Sequence, residues 1–416
     1  MNRDSRVMMI SADCHAGALS GTYNEYMPKK YHAAADAWWL EYAREMVIRR
    51  GTFFDQEASE AYDEAASGTT GRFTKQFEKE DLTDDLVLAM LKDGESAFAP
   101  RAGEVDPKIR LEELEADGVV ADVIFPQMVP FGASLLQFRG DENPEHTHIG
   151  NTAYNRWLAD FCEVNPGRHA GVAIIQVQDI EVAVQEVREA HALGLFGGVL
   201  LPGTTGEHYY YHHPRYEPLW QVCEELDMPL QVHGSWSPDY GDVDCATAMY
   251  VCEVDVIAHR AFTALVLGGV FERHPNLKLI FTEVGCSWIL ETLRRLETRC
   301  RNPIFKHFTK GLSLGPTEYF QRNCFLGASF LTAEEAADRH RVGLDRFMYG
   351  TDYPHLEGTW PNTRKFLNET FHDFPEAEIH SVLGETAAEV IGFDVDLLRA
   401  AAERVGPTVA EVRGVA

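Results

Sequence analysis

The chain has 416 residues, with 37 basic against 65 acidic side chains, a formal charge of −28 with histidine neutral, and 45% apolar residues. A field of that sign repels phosphate backbones and anionic bilayers, so nucleic-acid and membrane partners are not expected. Eight cysteines without a Cys-x-x-Cys pair, no signal-peptide layout and no run of about 18 apolar residues predict a cytoplasmic protein with reduced thiols and no membrane span.

The first predicted strand, Arg6 to Ala12, runs into Asp13-Cys14-His15. Side chains alternate along a strand, so Asp13 and His15 are expected on one face and Cys14 on the other. Residues 20–107 then break the pattern. They read as a mainly helical insertion, with helical pieces at Tyr31 to Arg50 and Asp81 to Lys92 and the aromatics Trp38, Trp39, Phe53, Phe54, Phe73 and Phe77. Leaving strand one beside Asp13 and His15, the insertion is placed to act as a lid, with Trp38 a candidate substrate contact. The competing expectation is that its aromatics build a small core of their own.

From Leu111 apolar strands alternate with amphipathic helices. Strands are predicted at Val119 to Phe125, Ala170 to Gln176, Phe196 to Leu201, Met228 to His233, Leu277 to Glu283, Cys324 to Ser329 and Arg346 to Gly350. Helices are predicted at Glu145 to Glu163, Ile180 to Leu193, Tyr216 to Leu226, Thr247 to Arg273, Ser287 to Arg301 and Ala333 to Val342. With strand one this makes eight βα units, the count of a (β/α)₈ TIM barrel of the α/β class. Residues 1–19 supply its first strand, 108–395 the remainder, and 396–416 an amphipathic tail. No Gly-x-Gly-x-x-Gly or Gly-Lys-Thr loop follows a strand, which excludes the usual nucleotide cradles.

The C-terminal ends of the strands carry Asp13 and His15, then His233, then Glu283, then Asp352. Alone, His233 could be a core histidine and Asp352 the cap of a turn. Together, at the end of a barrel where loops converge, they are a metal-ligand inventory. His355, three residues after Asp352, and His259 are additional metal candidates, enough for a second ion. Trp236, close to His233, and His213, in the histidine-rich loop after strand four, are candidate substrate contacts.

Asp13-Cys14-His15-Ala16-Gly17, Gln231-Val232-His233, the run Gly268 to Lys278 and Gly350-Thr351-Asp352-Tyr353-Pro354-His355 resemble the motifs of the amidohydrolase superfamily. The similar branch contains aminocarboxymuconate semialdehyde decarboxylase and related metal-dependent hydrolases and decarboxylases. The resemblance implies a metal site at the barrel mouth. It also exposes two departures: Asp13 stands where the first-strand pair is usually His-x-His, and Glu283 holds a place commonly histidine. A set rich in carboxylates suits iron or manganese better than zinc. The expectation from these departures is a non-haem diiron monooxygenase, like a small group that shares this fold, with two iron ions, molecular oxygen and a bulky apolar substrate. The alternative is a metal-dependent hydrolase or decarboxylase of a carboxylic acid, with Asp352 and Glu283 as catalytic groups. A homodimer is the expected assembly.

Overall fold

The computed structural model describes residues 6–19, 21–53, 82–92, 101–132, 143–203, 205, 208–234, 240, 243, 245–355 and 357–415. Nine strands are assigned among them: β1 Met9–Ala16, β2 Val119–Pro126, β3 His169–Gly171, β4 Ala173–Ile174, β5 Val199–Leu200, β6 Leu230–His233, β7 Leu279–Thr282, β8 Cys324–Ser329 and β9 Phe347–Gly350. They pair in parallel, in the order β1-β2-β3 and β4-β5-β6-β7-β8-β9. β3 and β4 are one barrel strand interrupted at Val172, whose amide turns to Ile124 while the next amide, of Ala173, bonds Gly198. Eight barrel strands result, as the periodicity predicts.

Closure comes from the two ends of the chain. Beyond β9 the Asp352 amide donates to the carbonyl of Asp13 at 2.9 Å, and the His15 amide donates to the carbonyl of Tyr353 at 2.7 Å. Gly350, the last residue of β9, has no room for a side chain, since a Cβ there would lie 2.8 Å from that of Asp13.

All eight residues of β1 are buried, and the first seven of β2, as expected for strands covered on both faces. One apolar cluster threads Ile10, Ala12, Val123, Ala170, Ile280, Phe325 and Met348 and continues into Ala387, Leu398 and Ala402. Of the residues read as a tail, 396–405 lie in helix Val395–Val405, whose Leu398, Ala401 and Ala402 are buried in the barrel's core, and Val409–Val412 form a further short helix. The helix predicted over Thr247 to Arg273 is three: Ala246–Ala258, Arg260–Leu267 and Val270–Arg273. Gly268 and Gly269 separate the last two, Gly269 at a left-handed φ of 67°.

After β1 the insertion forms helices His32–Phe53 and Asp84–Lys92. Trp39, Ala43, Leu82 and Val87 make a separate small cluster between them. Phe54, Phe73, Phe77 and the side chain of Phe53 lie outside the described residues. Among the described residues no helix is long and apolar enough to cross a membrane.

Candidate metal centre at the mouth of the barrel

The sequence candidates converge where the C-terminal ends of β1, β6, β7 and β9 meet. Asp13, His15, His233 and Glu283 each offer one ligand atom, all within 4.8 Å of one another. His15, Asp352 and His355 form a second such group, and Glu283, Asp352, His355 and Glu357 a third. The Nε2 atom of His15 lies 3.4 Å from Asp13 Oδ1 and 3.1 Å from Asp352 Oδ1. That of His233 lies 3.4 Å from Asp13 Oδ1 and 3.2 Å from Glu283 Oε2. His355 Nδ1 is 2.9 Å from Asp352 Oδ1.

Backbone geometry aims these groups. β1 and β2 lose register between Ser11 and Cys14, a bulge at the position of Asp13. Bulges beside active sites re-aim side chains. Glu283 and Asp352, each just past the end of its strand, take φ of 53° and 55°. For a residue with a side chain this left-handed region costs on the order of 1 kcal/mol or more. It persists because the surrounding ladder holds both residues, and it turns two carboxylates toward one point.

Neighbours fix the orientation of these side chains. Ser329 Oγ donates to Asp13 Oδ2, and Gln127 Oε1 lies 3.2 Å from His355 Nε2. The His15 and His355 rings stack with centroids 4.0 Å apart, and Phe125 packs on His233 at 4.7 Å. Ser329, Gln127 and Glu357 were not singled out from sequence. Ser329, the last residue of a strand whose register is plain, was the most accessible of them.

The electrostatics are those of crowded acids and imidazoles. Burial opposes the charge of Asp13, but His15 and His233 hold its carboxyl well below the ordinary range. Burial and the charges of Asp352, Asp13 and Glu357 push Glu283 well above it. Burial also disfavours the His355 imidazolium, yet Asp352 outweighs it and lifts that pKa to about 10.

Asp13 Oδ1, His15 Nε2 and both carboxylate oxygens of Asp352 are buried without a hydrogen bond. Leaving such atoms unsatisfied is costly unless something else is coordinated there. The donor set, carboxylate and imidazole without thiolate, fits a divalent cation of the manganese or iron type.

Three sequence candidates fall elsewhere. His259 turns its Nε2 to the carbonyl of Val284 at 3.0 Å and stacks on Trp288 at 3.9 Å, away from the ligand groups. His213 Nδ1 accepts from the Arg215 amide at 3.2 Å, capping a short helical turn, and its ring stacks on Tyr209. Trp38 is half-buried and packs against Tyr42 and Phe131. Trp236 lies outside the described residues.

The sequence profile described as Amidohydrolase matches residues 101–393. The chain is 26% identical over 312 residues to 2-amino-3-carboxymuconate-6-semialdehyde decarboxylase of Dictyostelium discoideum, 70% of this chain and 77% of that protein. It is 27% identical over 227 residues to gamma-resorcylate decarboxylase of Rhodococcus jostii (strain RHA1), 48% of this chain and 64% of that one. In fold it resembles the crystal structure of a 5-carboxyvanillate decarboxylase of Novosphingobium aromaticivorans with bound manganese. The TM-score is 0.63 at 16% identity, over 94% of this chain and 98% of that one. These findings correct the diiron monooxygenase expectation. These three relatives are decarboxylases, and with the oxygenase goes the need for molecular oxygen. Ligand composition misled because an acid-rich set suits any hard divalent ion, whatever the reaction.

Proposed function

The chain belongs to the amidohydrolase family, and from that premise we propose that it is a divalent-metal-dependent decarboxylase of an aromatic or similarly conjugated carboxylic acid. The observation that carries the reading is the buried set Asp13, His15, His233 and Asp352, with side chains at most 3% exposed. These four would hold the ion. Manganese is favoured, since a fold relative binds it, with iron or zinc as alternatives.

When bound, the ion supplies positive charge that fixes the substrate carboxylate and offsets the surrounding acids. The protein's own groups do the rest. Glu283 differs from the four ligands in being partly open, its side chain 19% exposed. Its Oε2 lies 3.2 Å from His233 Nε2. We assign it the proton transfer. A proton adds to the carbon bearing the carboxylate, the C–C bond breaks with its electron pair returning to the conjugated system, and CO₂ leaves. The balance is one proton in and one CO₂ out, with no oxidant.

Asp352, His355 and Glu357, which lie beside Glu283, would hold a second, weaker ion. Asp352 has both oxygens without a hydrogen bond, and its Oδ1 lies near both His15 and His355. The enzyme takes a small-molecule carboxylic acid and acts in the cytoplasm.

The test is incubation of manganese-loaded protein with a panel of hydroxybenzoic acids without oxygen, in heavy water. CO₂ release with one deuterium on the vacated carbon supports the reading. A requirement for oxygen, or ester and amide hydrolysis without CO₂, overturns it.

A further inference from the structure

Beneath the metal centre lies a second charged group, wholly buried and separate from the ligands. Arg110, on helix Pro107–Ala116, and Asp122, in the middle of β2, are both 0% exposed, and His169 at the start of β3 is 2% exposed. Arg110 gives Nε and Nη2 to Asp122 Oδ2 at 2.8 and 2.5 Å. The other carboxylate oxygen lies 2.6 Å from His169 Nδ1. Asn165 Nδ2, which also donates to the carbonyl of Pro107, sits 3.2 Å from His169 Nε2. With Asn165 donating, the imidazole proton is on Nδ1 and directed at Asp122.

Arg110 has one more arm. Its Nη1 donates to the main-chain carbonyl of His15 at 2.8 Å. Its guanidinium also lies 5.0 Å from the ring centroid of Tyr353, whose carbonyl accepts the His15 amide at 2.7 Å. Tyr353 OH in turn donates to Glu113, one turn beyond Arg110 on the same helix. The peptide groups on both sides of the His15 Cα are thereby held by Arg110 and by the residue stacked on it. This happens directly after the bulge at Asp13, where β1 and β2 are out of register.

A buried ion pair of this kind is weak evidence for stability alone, because well-packed apolar residues often serve as well. What apolar residues cannot reproduce is the bond to the His15 carbonyl. We propose that Arg110, oriented by Asp122 and His169, is a positioning residue that sets the backbone of His15 and hence the direction of its imidazole into the metal centre. Arg110 touches neither metal nor substrate and acts through His15. The proposal rests on the metal-site reading above.

Two variants of the full chain test it, with manganese(II) affinity measured by the loss of the free-ion paramagnetic resonance signal. Arg110→Lys keeps the charge but cannot reach Asp122 twice and His15 at once. The pair Arg110→Met with Asp122→Leu removes both charges, leaving no buried ion unpaired. Expected in both is a folded protein with manganese affinity lower by about 10- to 100-fold, the usual effect of losing a group that orients a ligand. Wild-type affinity in the folded double variant overturns the proposal and makes the pair a packing element. Failure of both variants to fold also counts against it, since the network would then be holding the barrel. If the wild-type chain itself binds no manganese, it is the metal reading that falls.

Discussion

Asp13 and Asp352, 339 positions apart, are joined through the main chain: the amide of Asp352 donates to the carbonyl of Asp13 at 2.9 Å, while their carboxylates both turn to His15. The hydrogen bond that closes the barrel is therefore made by the residues that would bind the metal. Asp352→Asn preserves shape and this backbone bond but not the negative charge. We expect a folded protein whose manganese affinity falls by about 100-fold or more, beyond the range typical of outer partners. Calorimetric titration reads it, and unchanged affinity would remove Asp352 from the ligand set.

Glu283→Gln separates ligand from proton donor. An amide cannot deliver the proton, so turnover should fall by about 100-fold or more while manganese at the Asp13, His15, His233 and Asp352 set is retained. Loss of metal along with activity would make Glu283 a ligand instead. Retention of both would leave it with neither role.

That these residues were recognisable from sequence has a physical basis. A strand fixes which neighbours share a face, and a barrel brings all strand C-termini to one mouth, so Asp13, His15, His233, Glu283 and Asp352 group together from the sequence alone. His259 lay beyond that logic: it joins two helices, and its position along the chain says nothing of its direction, which is toward the Val284 carbonyl. Asp122 was visible as a charge inside an apolar strand and should have demanded a buried partner. Arg110 could not be paired with it, because an arginine on a polar helix looks like solvent-facing surface. The break at Val172 was equally hidden, since β3 and β4 together read as one apolar run.

Protonation of the acids and imidazoles at the barrel mouth sets a pH dependence. His355, raised from 6.5 to about 10, contributes stability fully present below pH 6.5 and lost as pH climbs toward 10. Glu283, raised by burial and by neighbouring acids, likewise favours its protonated form in the metal-free protein. A divalent ion competes with those protons, so its binding releases them and strengthens with pH. Melting curves should show the Glu283 contribution to the metal-free protein lost from about pH 4.5 upward and that of His355 from about pH 6.5, while the shift produced by manganese grows. A manganese shift that is flat with pH would show that no proton is displaced.

Ion count decides the role of Glu357. We expect manganese titration to give one tight site and one weaker site, the latter absent in Glu357→Gln, because that substitution removes a carboxylate from the Glu283, Asp352 and His355 group alone. A single site in the wild-type chain, unaffected by Glu357→Gln, would reduce the centre to one ion.

The two neighbouring tryptophans of the insertion should behave oppositely. Trp39 is 4% exposed and anchors the small cluster with Ala43, Leu82 and Val87. Trp39→Ala should therefore cost about 3–5 kcal/mol of stability, as large aromatic truncations do. Trp38, one position earlier, points to a different face of the helix and is only half-buried. Its ring lies 6.2 Å from that of Phe131, a residue at φ 59° in the loop after β2, on the catalytic side of the barrel. Trp38→Ala removes a wall of that loop and only the edge of the insertion's small cluster. Melting temperature should move little, while KM for an aromatic acid rises and kcat changes less, since binding rather than proton transfer is affected. If Trp38→Ala instead melts as low as Trp39→Ala with KM unchanged, both rings belong to the insertion's own packing, and the lid has no part in holding the substrate.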